Sequence, residues 1–192
     1  PDYETKTSYT ATVTATDGTN STTQSVTVTV TDVDDVAPVF TSAASFSANE
    51  NQTAIGTVTA TDVDSSSITF SISGSDLVIT SAGILSFASA PDYEVKTASS
   101  AMVTATDGIN STTQSITVNV INLNDNSPVF TSPATFSAAE NQTSIGTVTA
   151  TDGDAIDSVT FTVSGSELSI SSAGVLTFAS APDYETKTSY TA

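Results

Sequence analysis

The tetrapeptide Pro-Asp-Tyr-Glu occurs three times, at 1–4, 91–94 and 182–185. The chain is therefore a tandem repetition of a unit of about ninety residues, and the unit is what folds. Residues 1–11 recur letter for letter as 182–192, so the chain starts and stops at one phase of its repeat, as expected of a length cut from a longer array.

Within the complete unit, 36–125, the pattern has period two. Ile68, Phe70 and Ile72 alternate with Thr69, Ser71 and Ser73, as Val26, Val28 and Val30 alternate with Thr27, Thr29 and Thr31. Such runs read as half-buried antiparallel strands. Seven are expected: A 39–48, B 54–61, C 67–73, D 76–80, E 84–88, F 98–106 and G 113–121, with breaks at Gly74, Ser81-Ala82-Gly83, Pro91 and Asp107-Gly108. Seven short strands without a helical stretch predict an all-β chain of tandem seven-stranded Greek-key sandwiches, joined end to end. The partition is a C-terminal half unit (1–35, strands F and G), a whole unit (36–125) and an N-terminal portion (126–192, strands A–E and the start of F).

Composition excludes several functions. The formal net charge is -18, from 21 acids against three lysines, which is incompatible with a nucleic-acid binder's basic face. No stretch is apolar for the length of a membrane span. Without His or Cys there is no His-based triad, zinc site or disulfide.

The acids are not scattered. If strands alternate in direction, the A–B and E–F loops share the trailing end of a unit; the B–C and F–G loops share its leading end. Glu50, Asp92 and Glu94 fall at the first, and Asp62, Asp64 and Asp107 at the second. The connectors, Asp32-Val-Asp34-Asp35 and Asn122-Leu-Asn124-Asp125, carry acids too. Only Asp76, Asp157 and Glu167 lie elsewhere. Eight carboxylates converge on the first joint: Asp2, Glu4, Asp32, Asp34, Asp35, Asp62, Asp64 and Asp107. Two like charges at 4 Å repel by roughly 4 kcal/mol at an effective dielectric near 20. Lys6, Lys96 and Lys187 are the only cations, each two residues past a Pro-Asp-Tyr-Glu. The positive charge must come from outside. Ca2+ suits an irregular all-oxygen site better than Mg2+, which demands a tighter octahedron.

Glu in A–B, Asp-x-Asp in B–C, Asp-Tyr-Glu in E–F, Ala-Thr-Asp in F–G and then a polar connector ending in Pro: in this order the motifs resemble the cadherin repeat, over the entire chain. Glu50 and Glu140 match the family's A–B glutamate. Asp2/Glu4, Asp92/Glu94 and Asp183/Glu185 match its Asp-x-Glu, Asp62/Asp64 and Asp152/Asp154 its Asp-x-Asp, and Asp17 and Asp107 its F–G aspartate. The connectors 32–38 (with Asp32, Asp34, Asp35) and 122–128 (with Asn122, Asn124, Asp125) match its linker. The resemblance implies these residues as metal ligands, with about three Ca2+ per joint stiffening the array. Asn122 stands where the family has Asp, so weaker binding is expected there; Val36 stands where it often has Asn, at a position used through its carbonyl. No Trp is present to serve the strand exchange of vertebrate cadherins. Near-identical units, Thr/Ser-rich faces and scarce lysine are similar to the cadherin-like arrays of large prokaryotic surface proteins.

The expected role is a Ca2+-rigidified spacer in an extracellular, cell-surface adhesin or filament, its partners being neighbouring repeats, head to tail. The alternative is direct binding of a glycan or protein partner, with Tyr3, Tyr9, Tyr93, Tyr184 and Tyr190 as the candidate sugar platforms. Three of these are locked in Asp-Tyr-Glu, and the position of Tyr9 and Tyr190 is serine in the middle unit. An enzyme is disfavoured and no catalytic residue is assigned: paired carboxylates such as Asp62/Asp64 recur at every joint without a cleft-forming insertion. Asn20, Asn51, Asn110 and Asn141 open glycosylation sequons. The half units leave unpaired sheet edges, which favours end-to-start abutment of two copies.

Overall fold

A computed structural model describes residues 1–65, 67–154 and 158–191, all in strands, turns and extended segments. Asp157 lies outside the described residues. The chain divides into two compact units, Pro1–Ile121 and Asn122–Ala192. This division by contact differs in kind from the repeat phasing at 35/36 and 125/126, which marks where the sequence pattern starts over.

The first unit opens with a hairpin of β1 (Ser8–Thr16) and β2 (Ser21–Thr29), paired from Ser8↔Thr29 to Thr16↔Ser21. Its tight turn is set by Asp17, whose Oδ1 accepts the N–H groups of Thr19 (2.9 Å) and Asn20 (2.7 Å). There follow β3 (Val39–Phe40), β4 (Ser45–Asn49), β5 (Ala54–Thr57), β6 (Ala60–Thr61), β7 (Thr69–Ile72), β8 (Leu77–Ile79), β9 (Ile84–Phe87), β10 (Ala98–Thr106) and β11 (Ser111–Ile121). One sheet has the order β4-β11-β10-β7; facing it are β5-β9-β8 and the short pair β3-β6.

Strand F matches its expected bounds and G extends two residues further back, because in both the alternation is unbroken: Val103, Ala105, Ile116 and Val118 are fully buried. Strands A and B are corrected. Each is two pieces, because strand A changes sheets. β3 pairs antiparallel with β6, whereas β4 runs parallel to β11, from Thr117↔Ser45 to Ile121↔Asn49. Strand B breaks at 58–59, between β5 paired with β9 and β6 paired with β3, where Val58 N–H instead donates to the Gly83 carbonyl (2.8 Å). Only a strand with partners on both layers divides in this way, and alternation alone does not reveal it.

Val58, Leu77, Leu85, Phe87, Val103, Ile116 and Val118 form the core between the layers, with Phe46, Phe70 and Tyr93 packed against it. Gly83 has φ +87, and a Cβ there would sit 2.2 Å from the Val58 carbonyl. Only glycine fits such a close approach.

The second unit repeats the first part of this plan with β12 (Val129–Phe130), β13 (Ser144–Thr147), β14 (Ala150–Thr151), β15 (Leu168–Ile170) and β16 (Val175–Phe178). It forms the pair β12-β14 and the sheet β13-β16-β15. The expectation of all of A–E is corrected here. The counterparts of β4 (135–138) and β7 (160–163), and the start of F (189–191), form no ladder among the described residues. In the first unit β4 and β7 are strands by pairing with β11 and β10; a strand is a property of a pair.

Candidate cation sites in the connectors

The first connector is enclosed within the first unit. Asp62 Oδ1 accepts the N–H groups of Asp64 (2.8 Å) and Ser65 (3.2 Å), folding the B–C loop into an Asx turn. Asp64 Oδ2 reaches the connector and accepts the N–H groups of Asp35 (3.2 Å) and Val36 (2.8 Å). Asp107 repeats the Asx arrangement in the F–G turn, with Oδ1 accepting from Ile109 (2.7 Å) and Asn110 (2.6 Å). Asn110 then donates through Nδ2 to the Asp34 carbonyl (3.3 Å) and Asp34 Oδ1 (3.0 Å).

In each aspartate one oxygen is thus fixed by backbone donors. The other oxygens, Asp62 Oδ2, Asp64 Oδ1 and Asp107 Oδ2, are buried with no hydrogen-bond partner. A buried acceptor without a donor costs about 1–3 kcal/mol, more when charged, so three in one loop cluster require a counterpart. Beside them Glu4, Asp32 and Asp64 each present a carboxylate oxygen within 4.8 Å of the others.

The titration reflects this crowding. Glu4 is pushed up to about 7: its own backbone N–H favours the anion, but the Asp2 hydrogen bond, desolvation and the charge of Asp64 outweigh it. Asp34 is raised by desolvation and by Asp107, against the pull of Asn110, with Asp62 and Asp64 adding to the rise. The lysines are committed elsewhere. Lys96 pairs with Asp76 and Lys187 with Glu167 (2.5 Å), two of the three acids outside the joints. Lys6 stacks over the Tyr9 ring at 4.3 Å.

The second connector, within the second unit, is wired differently. Asn126 donates its backbone N–H to Asp154 Oδ2 (2.8 Å) and its side-chain amide to Asp154 Oδ1 (2.8 Å) and Asp125 Oδ1 (3.1 Å). Asp152 Oδ1 accepts the Asp154 N–H (3.1 Å). Asn122 donates Nδ2 to the Asp154 carbonyl (2.7 Å), and its Oδ1 is buried without a partner. Asn124 lies between them in the connector.

The trailing ends show why Asp-Tyr-Glu is a unit. Tyr93 N–H donates to Glu50 Oε2 (2.7 Å), which leaves that glutamate 2% exposed. Asp92 Oδ1 caps the Glu94 N–H (3.0 Å), and a Glu94 oxygen lies within 4.8 Å of one from Glu50. In the second unit Tyr184 N–H donates to Glu140 Oε2 (3.1 Å), Asp183 caps Glu185 (3.1 Å), and Glu140, Asp183 and Glu185 bring oxygens within 4.8 Å of one another. Asn51 and Asn141 adopt φ 62 and 64 beside these glutamates and donate their N–H groups to Pro91 and Pro182 (3.0 Å each).

Of the residues singled out in the sequence, Asp17 stands outside these groups, and Asp2 and Asp35 touch the first only at its edge. Asp2 is held by the Thr5 hydroxyl (2.7 Å), Asp17 caps the hairpin turn, and Asp35 contributes its N–H. Asn110 and Asn126 are the residues sequence reasoning passed over; the recurrence of Asp-Gly-x-Asn at 17–20 and 107–110 was the available signal for the first. Asn110, read only as a sequon, has its amide engaged by Asp34.

No protein-family model matches the chain. Human Protocadherin Fat 4 is 38% identical over 124 residues, 58% of this chain but 2% of that protein. The solved structure of protocadherin gammaB7 EC3-6, a cis-dimer, superposes with a TM-score of 0.76 at 26% identity, covering 95% of this chain and 54% of that one. Mouse Cadherin-23 EC22-24 gives 0.72 at 24% identity, covering 96% and 68%. The chain thus spans a small fraction of the curated relatives it matches and about half of the solved protocadherin chain. Its fold is that of cadherin-like extracellular repeats. No helix among the described residues is long and apolar enough to cross a membrane.

Proposed function

We propose that this chain is a stretch of cadherin-like spacer, part of an extracellular, cell-surface adhesin or filament, whose connectors are stiffened by Ca2+. The observation that carries the reading is the set of buried oxygens on Asp62, Asp64 and Asp107, each turned away from the backbone donors that hold its partner oxygen. An all-oxygen, irregular, anionic pocket is the donor set of a hard cation of large radius. Glu4, Asp32, Asp34, Asp62, Asp64 and Asp107 would hold the ions of the first connector. The ions supply charge neutralisation and a link between connector, B–C loop and F–G turn, and no chemistry beyond that.

A role in catalysis has no support, since Asp62 and Asp107 are held in turn hydrogen bonds, Asp64 is bonded to the connector, and the pattern recurs by repeat. Direct glycan recognition through tyrosines is weakened by Tyr93, which packs against the core. The uniformity of the repeats and their Thr/Ser faces support the large-surface-protein type. The test is small-angle scattering of the full chain with Ca2+ and then with chelator. The expected result is a longer, narrower distance distribution with Ca2+; superimposable curves overturn the reading.

A further inference from the structure

Tension along a tandem array passes through each unit from its first strands to its last, so the pairing of those strands decides what must break. The complete unit is entered through β3 and β4 and left through β11. β4 and β11 are neighbours in one sheet and run parallel, from Thr117↔Ser45 to Ile121↔Asn49. Two further bonds extend the ladder: Thr117 N–H donates to the Ala44 carbonyl (2.9 Å) and Glu50 N–H to the Ile121 carbonyl (3.1 Å). A pull on both ends of the unit draws β4 back toward its own start and β11 forward toward its own end. In a parallel pair these displacements oppose each other along the strands, while the hydrogen bonds lie across them. The whole ladder is therefore strained at once. A hairpin pulled by its two tails opens one pair at a time.

The contacts on either side decide which one bears the load. β3 holds β6 through only two residues, Val39↔Thr61 and Phe40↔Ala60, and yields first. β11 is held on its other side by β10, in register from Ala98↔Asn119 to Thr106↔Ser111, a longer ladder than the one it shares with β4. β4 is the outermost strand of its sheet, so β11 is its one ladder partner. Phe46 packs against the core and Ala48 is buried in it, so sliding β4 also drags apolar surface into water. We propose that the parallel β4–β11 ladder is a mechanical clamp, the element that sets the force at which the complete unit yields to tension along the chain.

The inference deepens the spacer reading, which supplies the tension, but its geometry involves no ion. The chain has no cysteine, so thiol handles define the direction of a pull. Single-molecule force spectroscopy of the full chain held by its two ends is compared with the same chain carrying Ser45→Cys and Ser115→Cys. These exposed positions load the ladder from one end only, and it opens pair by pair. The end-to-end pull is expected to require several-fold more force and to release up to about 300 Å of chain between Val39 and Ile121. A second comparison uses proline, which removes one N–H. Glu50 N–H points at β11, so by alternation Ala48 N–H does too, while Ser47 N–H faces the open edge, where proline is tolerated. Ala48→Pro is expected to lower the end-to-end force and Ser47→Pro to keep most of it. Equal forces in the two directions overturn the proposal, whether or not Ala48→Pro folds; so does a folded Ala48→Pro chain that yields at the wild-type force. Each pull is made in Ca2+ and in chelator. The ratio between directions tests the clamp and the change between buffers tests the ion reading, so the two fail separately.

Discussion

Residues 32–36 and 122–126 occupy the same phase of the repeat, yet they treat the second aspartate of Asp-x-Asp differently. At the first connector Val36 offers Asp64 only its backbone N–H, and Asp64 Oδ1 is left buried without a donor. At the second, Asn126 supplies the same backbone bond and adds a side-chain amide that caps Asp154 Oδ1. The connector's opening residue differs as well: Asp32 lies within 4.8 Å of Glu4 and Asp64 oxygens, whereas Asn122 is neutral and turns its amide to the Asp154 carbonyl. One connector leaves anionic oxygens buried without a donor. The other satisfies part of its need with amide hydrogens. On the reading proposed above, two connectors at the same phase of the repeat would differ in how much they depend on a cation.

Chelation gives the largest expected effect. A ligand present at a hundredfold its Kd stabilises what it binds by roughly 2.7 kcal/mol. Removing Ca2+ should lower the thermal midpoint of the first unit, read by circular dichroism, more than that of the second. Equal shifts break the comparison. Next, Asp64→Asn should weaken Ca2+ binding at least tenfold in calorimetry, and Asp154→Asn less. Asn122→Asp should tighten the second connector several-fold by restoring a charge; unchanged affinity would mean that the capped Asp154, not the missing charge, is limiting. Val36→Asn should weaken the first connector only a few-fold, since Val36 N–H continues to hold Asp64.

How much of this was legible follows from what each feature depends on. Strands F and G were readable because each pairs with the other without interruption, from Ala98↔Asn119 to Thr106↔Ser111, so the alternation is never broken. The division of A into β3 and β4 was not, since two-residue pairing with β6 and a parallel pairing with β11 are decided by distant segments. The grouping of Glu4, Asp32 and Asp64 followed from strand direction, which places loops at ends. The Asn110 and Asn126 amides escaped because an asparagine beside an aspartate reads as turn chemistry until the partner is seen. The lysines escaped for a similar reason: Lys96 and Asp76 are twenty residues apart and meet only across strand D.

That pair supplies the smallest effect and a control away from the joints. Hydrogen bonding and charge from Lys96 hold Asp76 below its ordinary 3.8. A depressed acid contributes stability above the unfolded value and loses it as pH falls through the folded one. Lys96→Met should therefore melt slightly earlier than wild type at neutral pH, and the two should converge as the pH falls below 3.8 and through the lowered folded value, with Ca2+ affinity unmoved.

The buried oxygens of Asp62, Asp64 and Asp107 are best probed by calorimetric titration of the full chain with Ca2+, beside a chain carrying Asp62→Asn, Asp64→Asn and Asp107→Asn. Saturable binding of more than one ion to the wild type is expected, with the tighter class of sites absent from the substituted chain. Matching isotherms from two chains that are both folded by circular dichroism would contradict it.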